Sequence, residues 1–142
     1  MMDDQYKIVF IEKPGESVWG IIGKGIRNFN LQHAGEKNSK RLCFAILTPT
    51  QEIFGGVLGE ISWDWLHIDL MWIKDELRGH GFGHRLLLAI EDEARRQGAK
   101  NAFLDTFSFQ APEFYKQHGY RVFGELSGFP SGYQRIFLTK GL

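Results

Sequence analysis

The sequence predicts a single-domain α/β (α+β) fold containing about seven strands and three helices, and three observations predict it. The chain has 142 residues, a length that fits one hydrophobic core. Short β-rich runs alternate with stretches whose apolar residues recur at helical spacing. No repeat, linker or low-complexity segment interrupts the order strand, helix, three strands, helix, strand, helix, two strands, so residues 1–142 read as one domain.

"YKIVFIE" (Tyr6 to Glu12) alternates and is β-rich until Pro14 and Gly15 break it, which predicts a first strand. From Ser17, Val18, Ile21, Ile22, Ile26 and Phe29 fall on one helical stripe that ends at Gly35. Three interior glycines, Gly20, Gly23 and Gly25, each cost about 0.5–1 kcal/mol relative to alanine, so a bend or a break near Gly23–Gly25 is expected. "KRLCFAILT" and "EIFGGVLGEIS" flank the short polar "PTQ" and read as a hairpin. "WDWLHIDLMWI" follows as a strand, with Trp65, His67, Asp69 and Met71 expected on one face and Leu66, Ile68, Leu70 and Trp72 on the other. Next comes a helix whose inner stripe is Leu86, Leu87, Ile90 and Ala94, with Arg95 and Arg96 in its last turn and Gly98 placed to cap it. "KNAFLDTFSF" reads as a strand, "APEFYKQHG" as a short helix opened by Pro112 and closed by Gly119, and "YRVFGEL" and "YQRIFLTK" as two final strands joined by the turn-rich "SGFPSG".

Composition narrows the function. Lys plus Arg equals Asp plus Glu at 17 each, so no net field favours nucleic acid as a partner. Nowhere do apolar residues run for the roughly 20 positions needed to cross a bilayer, and "MMDDQYKIVF" lacks the basic flank of a signal peptide, so a cytoplasmic protein without a membrane partner is expected. The single cysteine, Cys43, has no internal disulfide partner and is expected as a small buried residue of its strand. His80 and His84 lie four apart, but no third ligand accompanies them, so no metal site is expected.

The glycine-rich stretch "RGHGFGHRLL", residues 78–87, is the most informative in the chain. It lacks the G-x-x-x-x-G-K-[ST] of a P-loop. The dinucleotide pattern G-x-G-x-x-G fails at His84 when counted from Gly79 and at Leu86 when counted from Gly81, although Asp105 stands at a tolerable distance for a ribose contact. A helix start normally carries Ser, Thr, Asp or Asn to satisfy its free N–H groups, and none occurs between Leu77 and Leu87. Bare amides, glycines that admit a close approach, and the cationic Arg78, His80, His84 and Arg85 together describe a site for an external anion such as a pyrophosphate.

The segment "RGHGFG" (78–83) resembles the R-x-x-G-x-G signature of the GNAT N-acetyltransferases, and "APEFYKQHGYRVFGEL" is similar to that family's FYxxxGF segment. "LMWIKDELRG" resembles the family's fourth strand and its approach to the loop, so the resemblance covers nearly the whole chain. It implies a GNAT-like fold with a mixed, mostly antiparallel sheet, splayed between its fourth and fifth strands and flanked by helices. It also implies acetyl-CoA as cosubstrate and direct attack by an amine in a ternary complex. Leu70, Met71, Trp72 and Ile73 would pair with the pantetheine arm and supply an oxyanion donor. Arg78, Gly79, His80, Gly81, Phe82, Gly83, His84 and Arg85 would hold the pyrophosphate, and Gln110 stands near a position where the family often has Asn. Tyr115 matches the tyrosine that protonates the departing thiolate. Glu60, His67 and Asp69 are candidate general bases on or beside the strands expected to border the acceptor. Phe29 to Gly35 and "SGFPSGY" are expected to border it too, with Trp63, Trp65, Phe129 and Tyr133 as an apolar wall or as a homodimer contact. A small-molecule amine and a peptide or protein amine both fit as acceptor. A non-catalytic acyl-CoA binding module and a nicotinamide-dependent oxidoreductase are the alternatives.

Overall fold

Residues 5–142 are described by a computed structural model; Met1–Asp4, the start of the N-terminal segment read above, lie outside it. The chain divides into one unit ending at Lys37 and a second running from Asn38 to Leu142.

The first unit contains α1 (Glu16–Ala34), an unbroken 19-residue helix. The break expected as one outcome at Gly23–Gly25 does not occur. The Arg27 guanidinium lies where a Gly23 Cβ would point, 3.0 Å from it, so the missing side chain is filled from the next turn. Gly35 ends the helix at φ +77°, its N–H donating to the Leu31 carbonyl at 3.1 Å. The expected strand over Tyr6–Glu12 is also absent: the segment alternates, yet forms no ladder. Side-chain alternation equips a segment for a sheet, but only pairing makes it a strand.

The second unit is a six-stranded sheet, not one of about seven, because that first strand does not form. Its strands are β1 (Lys40–Leu47), β2 (Ile53–Ser62), β3 (Trp65–Ile73), β4 (Asn101–Phe107), β5 (Arg121–Ser127) and β6 (Gln134–Gly141), in the order β1-β2-β3-β4-β6-β5. Only β3 and β4 run parallel. The crossover between them carries a 3₁₀ turn (Asp75–Leu77) and α2 (Phe82–Arg96), and α3 (Pro112–Gln117) links β4 to β5. Thr48 closes the β1–β2 turn, accepting from Gln51 N and donating its own N–H to the Glu52 carbonyl, both at 2.9 Å. The β2–β3 turn holds Trp63 and Asp64 at φ +45° and +65°, the left-handed pair that a two-residue hairpin needs.

Leu86, Leu87, Ile90 and Ala94 of α2 are buried together with Leu42, Val57, Ile61, Leu66, Ile68, Leu104, Ile136 and Leu138 of the sheet. This is the stripe the periodicity predicts. α2 ends in a complete Schellman motif: Ala99 N donates to Ala94 O at 2.9 Å and Gly98 N to Arg95 O at 3.0 Å, with Gly98 at φ +94°. Glu91, fully buried in the same helix, accepts from Tyr120 Oη at 2.7 Å and from Lys140 Nζ at 3.0 Å on both oxygens. Its charge is therefore paired and its lone pairs are occupied, the condition under which a buried carboxylate is tolerated.

Candidate active site

The site begins where β3 and β4 separate. Their parallel pairing covers only Trp65–Asn101, Leu66–Ala102 and His67–Phe103, although β3 continues to Ile73 and β4 to Phe107. Both strands therefore carry unpaired backbone beyond that point. The gap matches the splay expected between the fourth and fifth strands, which are β3 and β4 here.

A bulge in β3 sets what faces the gap. Leu58 pairs with Leu70 and Gly59 with Ile68, which leaves Asp69 as the extra residue. Asp69 and Leu70 are consequently both exposed, and the faces exchange beyond the bulge: Met71 and Ile73 pack toward the core while Leu70 and Trp72 face outward. The sequence expectation placed Met71 beside His67, and Leu70 and Trp72 beside Leu66 and Ile68. Strict alternation fails because one inserted residue shifts the phase of all that follow. Lys74 N donates to Phe54 O at 2.9 Å, so Trp72 and Leu70 also turn their backbone groups to β2, and Met71 and Ile73 turn theirs to the gap. The Ile73 carbonyl is taken by Arg78 Nε at 2.9 Å.

Three candidate bases share one hollow. Glu60 of β2, with His67 and Asp69 of β3, lines an open cavity of about 480 Å³ together with Arg41, Cys43 and Leu58. His67 lies flat on Phe103, with ring centroids 4.6 Å apart and planes 13° apart. Cys43 is exposed here, contrary to the expected buried position. The run "RLCFAIL" is apolar throughout and carries no phase of its own; Leu42 takes the core face, so its neighbour points away.

At the start of α2 the glycines do two different things. Gly79 and Gly81 have φ +79° and +83°, and a Cβ on either would meet nothing within 4 Å, so this backbone is open to approach. Gly81 is the N-cap and no side chain caps the helix; the first intrahelical bond is Arg85 N to Gly81 O at 3.1 Å. The N–H groups of Phe82, Gly83 and His84 precede it and have no intrahelical acceptor. Gly83 serves packing instead, because its Cβ would lie 3.3 Å from the Phe114 ring of α3. Arg78 clips the loop to the end of β3 and also pairs with Asp75 at 3.0 Å, while Arg85 lies over the Phe82 ring at 5.2 Å. His80 is exposed in the same loop.

His84 is tied to α3. Its Nδ1 lies 2.8 Å from His118 Nε2, and His118 Nδ1 lies 2.8 Å from the Phe114 carbonyl. A carbonyl only accepts, so His118 donates from Nδ1; as a neutral imidazole it accepts at Nε2 from His84 Nδ1. Sequence reasoning passed over His118, since a histidine before a helix-closing glycine carries no local signal of a partner 34 positions away.

Tyr115 of α3 is buried, its ring edge-on to Phe114 at 5.1 Å and Tyr120 at 6.0 Å. Burial alone pushes its phenol pKa above the ordinary value near 10. Gln110 closes the β4–α3 turn, its Oε1 accepting from Thr106 Oγ1 at 3.0 Å and Phe107 N at 2.9 Å. Asp105, the ribose candidate of the dinucleotide alternative, instead accepts from Arg135 Nε at 2.6 Å across the β4–β6 ladder.

The sequence pattern of the acetyltransferase (GNAT) family matches residues 11–120. The chain belongs to that family. This GNAT chain is 39% identical to the blasticidin-S acetyltransferase of Streptomyces morookaense over 92 residues, which cover 64% of this chain and 68% of the relative. An acetyltransferase of Bacillus cereus, solved by crystallography, superposes with a TM-score of 0.87 at 34% identity over 94% of this chain and 98% of its own. A Bacillus anthracis protein described as a streptothricin acetyltransferase shares the fold, with a TM-score of 0.63 at 20% identity over 72% of this chain and 62% of its own; that protein was solved in complex with acetyl coenzyme A. The chain is thus an acyltransferase that uses acetyl-CoA to acetylate an amine. Among the described residues no helix is long and apolar enough to cross a membrane.

Proposed function

We propose that the chain acetylates a small-molecule amine seated in the hollow beside the gap between β3 and β4. The observation that carries this is the hollow itself, which gathers Glu60, His67 and Asp69 where the two strands part. Its volume of about 480 Å³ falls in the range that encloses small ligands, roughly 300–1,000 Å³. The relative from Streptomyces has blasticidin-S as its acceptor, which supports a small molecule over a protein lysine. Two carboxylates against one guanidinium, Arg41, favour a cationic amine.

The uncapped N-terminus of α2, with the open backbone at Gly79 and Gly81, suits a pyrophosphate: bare amides meet the anion and the helix dipole favours its charge. His84 and Arg78 support that loop through His118 and the Ile73 carbonyl, and the Arg78 guanidinium adds positive charge beside it. The phase of the β2–β3 ladder favours Met71 N–H and C=O and Ile73 N–H for pairing with pantetheine, and makes the Met71 amide the preferred oxyanion donor. Glu60, Asp69 or His67 takes the ammonium proton, directly or through water. The freed nitrogen attacks the thioester carbonyl carbon, the C–S bond breaks, the leaving sulfur takes its proton from Tyr115 Oη, and the second nitrogen proton leaves to solvent, from which Tyr115 regains its own. Dependence on acetyl-CoA and a single cysteine fit a cytoplasmic setting.

The test is thiol release from acetyl-CoA across small amines, peptides and lysine-bearing proteins, with Asp69→Asn, Glu60→Gln and His67→Gln. One of the three substitutions lowers kcat by about 100-fold or more, the usual scale of general-base catalysis. If all three keep kcat within twofold, or if only proteins are acetylated, the assignment fails.

A further inference from the structure

On the outward face of the sheet, the β4 side of the gap carries an array of aromatic rings. Phe103, Asp105 and Phe107 alternate onto this face, and Phe107 ends the strand about 13 Å beyond the His67–Phe103 stack at the usual strand rise. Phe107 and Phe109 lie with ring planes 9° apart and centroids 5.3 Å apart; Tyr133 stands edge-on to Phe109 at 5.1 Å, and Phe129 leans on Phe107 at 5.7 Å. Phe109, Tyr133 and Phe129 keep 55%, 45% and 41% of their surface exposed. The backbone holds these rings in place. Ser108 N donates to Gln134 O at 2.8 Å, Gln134 N to Ser108 Oγ at 3.0 Å, Tyr133 N to Pro130 O at 2.9 Å and Gly128 N to Tyr133 O at 2.9 Å. Docking onto rings fixed in this way costs little conformational entropy.

The charge on this shelf is spent internally. Arg135 is held by Asp105 at 2.6 Å and lies against Phe107, Phe129 and Phe137 at 5.6, 5.0 and 5.5 Å. The shelf therefore presents ring surface, while the hollow across the gap presents Glu60 and Asp69. The His67–Phe103 stack borders the hollow, and Asp105 with its Arg135 partner lies between that stack and the shelf. A molecule spanning both has its amine at one end and a flat body at the other.

We propose that the acceptor carries, about 13 Å from its amine, a flat, conjugated ring system that stacks on the shelf of Phe107, Phe109, Phe129 and Tyr133. This rests on the hollow beside Asp69 being the acceptor site. It selects an amine bearing an aromatic or heteroaromatic ring at that distance over a wholly aliphatic amine of equal charge.

The experiment compares thiol release with 8-phenyloctylamine and 8-cyclohexyloctylamine, whose extended tethers are long enough to reach from the hollow to the shelf and which share charge and differ in ring planarity. The full chain prefers the flat ring by about tenfold in kcat/KM, the scale expected of ring-on-ring contacts. Phe109→Leu and Tyr133→Leu, which keep apolar area at exposed positions, erase the preference while the KM for acetyl-CoA stays unchanged. Equal rates for the two amines overturn the proposal and leave the acceptor hollow standing. Equal losses on both amines in the variants, a raised KM for acetyl-CoA, or a sedimentation change showing the shelf to be a dimer contact also overturn it. No release with either amine while acetyl-CoA still binds removes the catalytic assignment itself, and the proposal with it.

Discussion

Replacing Tyr115 by Phe removes one oxygen and keeps the ring that packs against Phe114 and Tyr120. Because burial alone raises the Tyr115 pKa, the phenol keeps its proton throughout neutral pH and can act as an acid there. The group it serves is a thiolate, whose conjugate thiol has a pKa near 8.5, so the sulfur needs a proton most below that value. A thiolate is already a fair leaving group, which puts the expected loss near the lower end of general acid catalysis, about 100-fold or 2.7 kcal/mol in the barrier. The defect in kcat should therefore be about 100-fold at pH 7 and shrink above about pH 9, with the KM for acetyl-CoA unchanged. Thiol release followed between pH 6 and 10 with a thiol-reactive chromophore measures it. A kcat within twofold of the unmodified chain at pH 7 refutes the acid role. So does a defect independent of pH that comes with a lower melting temperature, since that marks lost packing.

Tyr115 and Tyr120 both have pKa values raised by burial, Tyr120 further by its bond to Glu91, so both stay neutral in the folded chain at pH values where the unfolded chain ionises. Their contribution to stability is fully present below about pH 10 and is lost as pH rises toward the folded values; urea midpoints should fall from pH 9 to 11, and less steeply in Tyr120→Phe. Glu91→Ala leaves Lys140 and Tyr120 without their shared acceptor and should cost about 3 kcal/mol, read as a melting temperature lower by roughly 10 °C. Gly81→Ala places a Cβ in open space at φ +83°, so the cost is backbone strain of about 1–2 kcal/mol, and acetyl-CoA affinity should drop by more than stability accounts for. Calorimetry and titration of that variant separate the two effects.

Much of this was legible in the sequence because it rests on local chemistry. The stripe Leu86, Leu87, Ile90, Ala94 and the capping Gly98 act through neighbours within a turn or two, and the structure has them as read; Gly79 and Gly81 have the positive φ that favours glycine. The failures are nonlocal. Tyr6–Glu12 has the alternation of a strand, but forms none without a ladder partner. The faces of Leu70 to Ile73 were inverted because a bulge at Asp69 depends on the register of β2, which no pattern within β3 records. Cys43 sits in a run without polar phase markers, so its outward position followed only from the burial of Leu42. The gathering of Glu60, His67 and Asp69 around one hollow, and the His84–His118 tie, likewise needed the strands and helices brought together.

The central claim is that the open, uncapped start of α2 holds the pyrophosphate of acetyl-CoA. Titration calorimetry of the chain with acetyl-CoA and with S-acetylpantetheine, which keeps the thioester and lacks the pyrophosphate, tests it most directly. The account predicts saturable one-to-one binding of acetyl-CoA, a thermal stabilisation of about 2.7 kcal/mol at 100 times Kd, and binding of S-acetylpantetheine at least 100-fold weaker. Equal affinities for the two ligands, or no stabilisation by acetyl-CoA, would contradict it.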